Sequence, residues 1–531
     1  MSIPRARDFH LPGRSEVIAE NGMVATSHPL AAKTAVEVLE RGGNAVDAAI
    51  AGAVLLGFCE PQMTGLGGDM FALIHPEGGE IQGLNASGRA PAGLSAEALR
   101  AEGHKVMPAG HAHSVTIPTA VDGFQKLADR FGKLGLADAL APAIRYAEAG
   151  VPVAPKVAFD WAEWAPTLKG RGAELFLNGG RALPKGAIFR APGQAEVLRR
   201  IAAQGRDAFY EGEVAADMAA SLRALGGTHT EADFAAAAAE WVDPISASYR
   251  GAELVELPPN GHGAIALLLA NILENFDLAA LDPFGPERAH LEAEATKLAY
   301  DARNRFIADP AAVEVRLAHL LSKDTAKALA AKIDPARPMA DAAALSEQVH
   351  RDTIYITVVD RDRLKVSLIY SIFSAFGSGL ASDKFGILFH DRGRGFTLEA
   401  GHPNEAAGSK RPLHTIIPAM LKEGGEVTRV FGVMGGAYQA TGHARALTNL
   451  VDYGMEPQAA IDAPRCFAEA GELRVERGYP AEVHAALSAM GHNVVVPAGP
   501  IGGAQMITVD RAGGLLVGAS DPRKDGCALG C

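Results

Sequence analysis

Asp352-Thr353-Ile354-Tyr355-Ile356-Thr357-Val358-Val359-Asp360 is a run of β-branched and aromatic residues between two aspartates. That composition suits a pleated strand. A polar turn, Asp360-Arg-Asp-Arg-Leu364, separates it from a second such run, Lys365–Phe373, and the pair predicts a β-hairpin. Thr353 opens the first strand. In an intact chain it is an ordinary strand residue, because its nitrogen belongs to an amide and an amide is no base. A cut before Thr353 would give it a free α-amine beside its hydroxyl. An α-amine titrates at about 7.7–8.0, so it can take the hydroxyl proton near neutrality and activate the nucleophile.

Working outward, the chain of 531 residues is 48% hydrophobic and 21% charged, enough for a large core in one α/β unit or several domains. A net charge of −12 without a basic patch excludes nucleic acid and anionic membrane as expected partners. Ala48–Phe58 is the most apolar stretch and is too short to span a bilayer. The first ten residues have no apolar signal core. Cys59, Cys466, Cys527 and Cys531 form no CxxC pair. A reducing cytoplasm is the expected location.

Ser27, Pro29 and Gly42-Gly43 punctuate a first helix, and Asn44 caps a second, Ala45–Phe58, apolar nearly all round. Gly65-Leu-Gly-Gly68 reads as a turn feeding Phe71–Ile74, with Ile81–Asn85 as hairpin partner. Helices are expected over 119–150, 195–240, Ala264–Asn275, Glu292–Ala308 and 320–350. Beyond Thr353, strands are expected at Gly386–His390, Thr428–Met434, Ala504–Val509 and Leu515–Ala519. Helices are expected at Gly442–Tyr453, Glu456–Ala463 and Pro480–Gly491.

Amide cleavage by a hydroxyl also needs oxyanion donors and a substrate handle. Gly435-Gly436, at a strand end, can turn two N–H groups toward a ligand or can be a plain turn. Arg89, between Gly and Pro, can fork onto a carboxylate or lie solvated. His414 and Thr415 sit in a loop between prolines, with His414 a base, a donor or a structural histidine. His111-Ala-His113 has a metal-pair spacing without a supporting cluster, so no metal and no cofactor is expected.

Taken together the motifs resemble the γ-glutamyltranspeptidase family of N-terminal-nucleophile hydrolases. They run in order: Met23-Val-Ala-Thr-Ser-His-Pro-Leu-Ala31, Gly42-Gly-Asn-Ala-Val-Asp-Ala-Ala49, Gly65-Leu-Gly-Gly-Asp-Met-Phe71, Ser87-Gly-Arg-Ala-Pro91 and Ser114-Val-Thr-Ile-Pro118. Then follow Ala208-Phe-Tyr-Glu-Gly212, Asp352-Thr353, Lys410-Arg-Pro412, Gly435-Gly436 and Ser520-Asp-Pro-Arg523. The resemblance implies a four-layer αββα sandwich and self-cleavage between Asp352 and Thr353. The products, a large fragment 1–352 and a small fragment 353–531, would stay associated as one intertwined domain, alone or as a dimer of heterodimers. It implies Thr353 as nucleophile, Gly435 and Gly436 as oxyanion donors, Arg89 as carboxylate ligand, and Ser371 and Thr357 as hydroxyls supporting the nucleophile.

The departures narrow the substrate. The family's Asn on the facing strand is Phe373 here, and the Asp that pairs with a substrate ammonium is Gly395. Its Ser-Ser pair is His414-Thr415, and Arg392 and Arg394 add positive charge. An ammonium would lack a partner, which is costly when buried. The pattern is nearest to the oxamate amidohydrolase-like sub-family: a cytoplasmic enzyme cleaving a small amide that bears a carboxylate. Glutathione hydrolysis or γ-glutamyl transfer, a glutaryl-type cephalosporin acylase, and a catalytically silent scaffold are the alternatives.

Overall fold

The computed structural model describes residues 9–10, 12–339 and 353–531. The predicted hairpin forms. Ile354–Asp360 pairs antiparallel with Lys365–Ser371, from Ile354 opposite Tyr370 to Val359 opposite Lys365, and Arg363 takes a positive φ in the turn. Ile354, Ile356 and Val358 face one apolar cluster, whereas Tyr355 and Val359 face another. This is the period-two alternation of a strand buried on both sides.

The hairpin lies inside a seven-stranded sheet. Its order is Cys527–Gly530, Gly22–Thr26, Ile354–Asp360, Lys365–Ser371, Asp69–His75, Gln82–Ala86 and Glu240–Val242. The two central strands come from beyond Thr353 and are flanked by strands from before it. A second seven-stranded sheet runs Val17–Ala19, Leu515–Ser520, Gly503–Asp510, Glu426–Met434, Ala419–Glu423, Ala252–Glu256 and Ile245–Tyr249. Phe71, Leu73, Tyr355, Ile369, Met420, Val430 and Ile507 fill the space between the sheets. A Cβ on Gly432 would lie 2.3 Å from the Tyr355 ring, so that glycine admits the ring between the layers.

Helices cover both outer faces. Pro29–Glu40, Ala45–Cys59 and Ala120–Phe131 pack on the first sheet, with Leu136–Ala149 over Ala45–Cys59 and Pro192–Gln204 against Leu136–Ala149. Gly263–Leu273 and Gln439–Val451 pack on the second, with Pro286–Phe306 against Gly263–Leu273. The architecture is the αββα sandwich. Every residue of Ala45–Cys59 is buried, and Asn44 with Asp47 forms the capping box at its start. Among the described residues no helix is long and apolar enough to cross a membrane.

Two expectations are corrected. His28, not Ser27, caps Pro29–Glu40, accepting from the Leu30 N–H, while the Ser27 hydroxyl donates to Glu60. Gly386–His390 is no strand. It makes only isolated bridges, Leu388 to Ala381 and Phe389 to Gly67, because a folded loop presses its backbone on the glycine-rich turn. Helices form at Leu317–Leu320 and Lys323–Ala330, while residues 340–350 of the expected helical stretch, and Asp352 of the expected cleavage site, lie outside the described residues.

Candidate active site

Thr353 is buried and shares the inter-sheet face with Tyr355 and Thr357. Continuing the hairpin register by one pair sets it opposite Ser371, and its Oγ1 donates to Ser371 Oγ at 3.2 Å. Ser371 Oγ also accepts the Phe373 N–H at 2.8 Å. Phe373 holds φ at +76°, a costly conformation for an aromatic residue. Strain of this kind concentrates where a fold fixes a group for use.

The Gly435–Gly436 turn ends the strand Glu426–Met434 and starts the helix Gln439–Val451 through a single 3₁₀ turn. Gly435 has φ +120° and Gly436 φ +56°, and a Cβ on Gly435 would stand 2.8 Å from Gly502 Cα. Only glycine fits there. Gln439, in the first turn of that helix, points its Nε2 at Thr353 Oγ1 from 3.5 Å, the outer limit of a hydrogen bond. Its Oε1 accepts the Ile417 N–H at 3.0 Å. The glycine turn therefore stands beside Thr353. The strand behind it is braced by His443, whose Nε2 accepts the Val433 N–H and whose Nδ1 donates to Glu256 at 2.6 Å. Burial pushes the Glu256 carboxyl up.

Arg392, Phe373, His414 and Thr415 come together around Asp69, a residue the sequence reading passed over. Asp69 starts the strand that pairs with Ser371. Its carboxylate takes Arg392 Nε at 3.1 Å and Nη2 at 3.2 Å, and His414 Nε2 at 2.7 Å; His390 Nδ1 is 3.4 Å away. Arg392 Nη1 donates to Thr415 Oγ1 at 3.1 Å, and the guanidinium lies 4.2 Å over the Phe373 ring. Burial disfavours the Asp69 charge, but Arg392, His414 and His390 outweigh it and hold the carboxyl well below its usual range. His414 Nδ1 accepts the Ile416 N–H, so Nε2 carries the proton given to Asp69. Burial, with Arg392 adding to it, brings the His414 imidazole down to about 4. His414 is thus a neutral donor to Asp69, and both ring nitrogens are committed.

Other expected residues stand differently. Arg392 carries no spare charge, since Asp69 matches it. Arg89 is engaged by Asp309 at 3.1 Å, Glu240 at 3.1 Å and the Ser409 carbonyl at 3.1 Å, with its side chain about one-third exposed. Thr357 donates to the Val366 carbonyl at 3.0 Å, and lies four residues, about 13 Å of strand, from Thr353. It cannot touch the Thr353 hydroxyl. A Cβ on Gly395 would meet the Leu413 carbonyl oxygen at 2.2 Å, so this backbone excludes an aspartate there.

His111 Nδ1 accepts the His113 N–H, which makes the pair a local turn. Metal-ligand spacing occurs among the described residues at His290, Glu294 and His492. There the imidazoles bond each other at 2.8 Å and the Lys297 ammonium, 2.8 Å from Glu294, already supplies the cation.

The family profile described as Gamma-glutamyltranspeptidase matches residues 31–531. A Bacillus subtilis protein described as a glutathione hydrolase-like YwrD proenzyme is 36% identical over 97% of this chain and 99% of its own length. The oxamate amidohydrolase proenzyme of Klebsiella pneumoniae is 32% identical over 97% and 99%. The crystal structure of a cephalosporin acylase from Bacillus halodurans superposes with a TM-score of 0.91 at 37% identity, over 100% of this chain and 99% of that one. The chain belongs to the gamma-glutamyltranspeptidase family and is an N-terminal-nucleophile amide hydrolase.

Proposed function

We propose that the protein cuts itself before Thr353 and then hydrolyses a small amide that carries a carboxylate and no ammonium, oxamate being the first substrate to try. Thr353 Oγ1 adds to the Asp352 carbonyl, the peptide C–N bond breaks as an ester forms and the Thr353 amine is freed, and water then hydrolyses the ester to release the Asp352 carboxylate and the Thr353 hydroxyl. The fragments 1–352 and 353–531 remain together through the shared sheet. In the mature site the α-amine takes the Thr353 hydroxyl proton as Oγ1 attacks the substrate carbonyl. The Gly435 and Gly436 amides receive the oxyanion. The proton passes to the leaving amine or ammonia, and water releases the acid from the ester. Ser371 positions the nucleophile, while Asp69, Arg392, His414 and Thr415 build the rigid floor beneath Phe373.

The substrate reading rests on one observation above all: Gly395 has no room for a Cβ. A γ-glutamyl ammonium would find no carboxylate at that wall, and an unpaired buried ammonium costs several kcal/mol. The relatives' names span glutathione hydrolase-like, oxamate amidohydrolase and cephalosporin acylase, so the decisive assay compares substrates. Ammonia release from oxamate should exceed release from a γ-glutamyl anilide. A preference for the anilide refutes the substrate assignment. A denaturing gel should show two fragments, the smaller beginning Thr-Ile-Tyr-Ile, and Thr353→Ala should leave one band. Two bands from Thr353→Ala would end the nucleophile assignment.

A further inference from the structure

Gln439 opens the helix Gln439–Val451 and is fully buried. The direction of its amide is fixed by a backbone donor. The Ile417 N–H needs an oxygen, so Oε1 accepts it at 3.0 Å and Nε2 is the end turned to Thr353 Oγ1, 3.5 Å away. Ile417 stands two residues past Thr415, whose hydroxyl accepts from Arg392. The glutamine is thus held by the same segment that closes the floor of the site.

Thr353 Oγ1 therefore meets an acceptor and a donor. Its hydrogen goes to Ser371 Oγ at 3.2 Å, and the Gln439 NH₂ faces its oxygen. The Gly435 and Gly436 amides are proposed for the carbonyl oxygen, which is a different atom. Oγ1 itself carries negative charge twice: when it gives up its proton to attack, and when water at the carbonyl expels it from the ester. The attacking water's proton returns to Oγ1 through the α-amine, so the hydroxyl is restored. A hydrogen bond to a charged oxygen is shorter and stronger than one to a neutral hydroxyl. A contact that is slack at 3.5 Å in the resting site and tightens as charge develops favours the transition state over the ground state.

We infer that Gln439 is the donor that stabilises Thr353 Oγ1 both in self-cleavage and in substrate hydrolysis. This rests on the reading of Thr353 as nucleophile above. The test uses Gln439→Glu, which keeps an oxygen for the Ile417 N–H and loses only the donor to Thr353. Precursor labelled during cell-free synthesis is chased between about pH 8 and 5.5, and fragment formation is followed on a gel. At the alkaline end Gln439→Glu should cleave itself roughly 10- to 100-fold more slowly than wild type, the loss of a hydrogen bond to a charged atom. As pH falls, the introduced carboxyl, raised by burial, takes up a proton and becomes a donor again, so the deficit against wild type should shrink about fivefold or more. Asp69, Arg392, His390 and His414 in the floor, and His443 one turn along the helix, are common to both proteins, so the ratio of rates removes their titration.

In the mature enzyme, kcat on the preferred amide should fall by a similar factor in Gln439→Glu while KM stays within about twofold, because the contact is made to the nucleophile and not to the substrate. A wild-type cleavage rate in Gln439→Glu at the alkaline end, or a deficit that is the same at every pH, overturns the inference; the second is what disturbed packing alone would give. Should Gln439→Glu fail to fold, Gln439→Met fills the same space without a hydrogen-bond donor, and self-cleavage at the wild-type rate in that variant is equally fatal. If Thr353→Ala stops cleavage while the Gln439 variants cleave normally, the amidohydrolase reading stands and this one alone falls.

Discussion

Replacing Asp69 by Asn tests the floor of the site most sharply. Asp69, Arg392, His390 and His414 are each fully enclosed. The carboxylate accepts both guanidinium nitrogens and the His414 N–H, so every lone-pair direction it needs is used. Asparagine has nearly the same shape but removes the charge and turns an NH₂ toward donors. Arg392 would then be a buried cation without a counter-ion, at a cost of about 3–5 kcal/mol. Unfolding entropy scales with length, and for 531 residues it amounts to about 1 kcal/mol per degree. Tm should fall by about 3–5 °C. The measurement belongs in a Thr353→Ala background at neutral pH, so that a single polypeptide unfolds. Adding Arg392→Met should recover part of the loss, since the orphaned charge leaves with it, and the two effects should be non-additive. An Asp69→Asn protein melting within 1 °C of its parent, or strictly additive effects, would refute the charge-matching argument.

Ser371→Ala removes the partner of Thr353 Oγ1, and a pulse-chase gel should show fragment formation slowed about 10- to 100-fold, with unchanged speed counting against Ser371. Gly435→Ala should lower turnover about 100-fold or more, because a Cβ would push the glycine turn, the proposed oxyanion site, off Gly502; Gly424→Ala, whose Cβ meets open space, should leave turnover intact. Acid should destabilise the protein early. His414 binds its proton in the folded state only at about 4 against 6.5 unfolded, so its stabilising contribution is complete above pH 6.5 and is lost as pH falls toward 4. The loss is about 3 kcal/mol, and His28 and His229, also brought down to about 4 by burial, act in the same direction. The Asp69 carboxyl, depressed below 3.8, adds its own loss only at lower pH. A urea midpoint unchanged between pH 7 and 4.5 would contradict this.

The hairpin at Thr353 was legible because its signals are local: two β-branched runs and a polar turn between them. The helix starting at Ala45 was legible from its cap. Ala252–Glu256 and Ala419–Glu423 were missed although each has a hairpin neighbour across a glycine turn, Arg250-Gly251 and Gly424-Gly425; what no local signal shows is that they pair with each other across the sequence. Among site residues, Ser371 came from the family resemblance, and the hairpin register places it opposite Thr353. Asp69 was hidden, since its partners Arg392 and His414 lie 323 and 345 residues on and only folding joins them. The Gly-Gly-Asp motif did contain it, but read locally the glycines drew attention to a turn. Gln439 was missed because the helix was expected to begin at Gly442, three residues beyond the side chain that reaches the nucleophile.

Charge matching also separates the arginines by role, which residue type alone cannot do. Arg392 is anchored on two bonds to one buried carboxylate and stacked on Phe373, so its job is to hold the strained Phe373 and, through the Phe373 N–H, the Ser371 hydroxyl. That chain of contacts runs from Asp69 to the nucleophile without any substrate. Arg89, bound to Asp309 and Glu240, ties the loop after Gln82–Ala86 to the helix end at Phe306 and to the edge strand Glu240–Val242. To meet a ligand carboxylate it would have to share two existing ones. Electrostatics thus assigns structural work to these matched arginines, Arg392 in the floor of the site and Arg89 between the loop, the helix end and the edge strand.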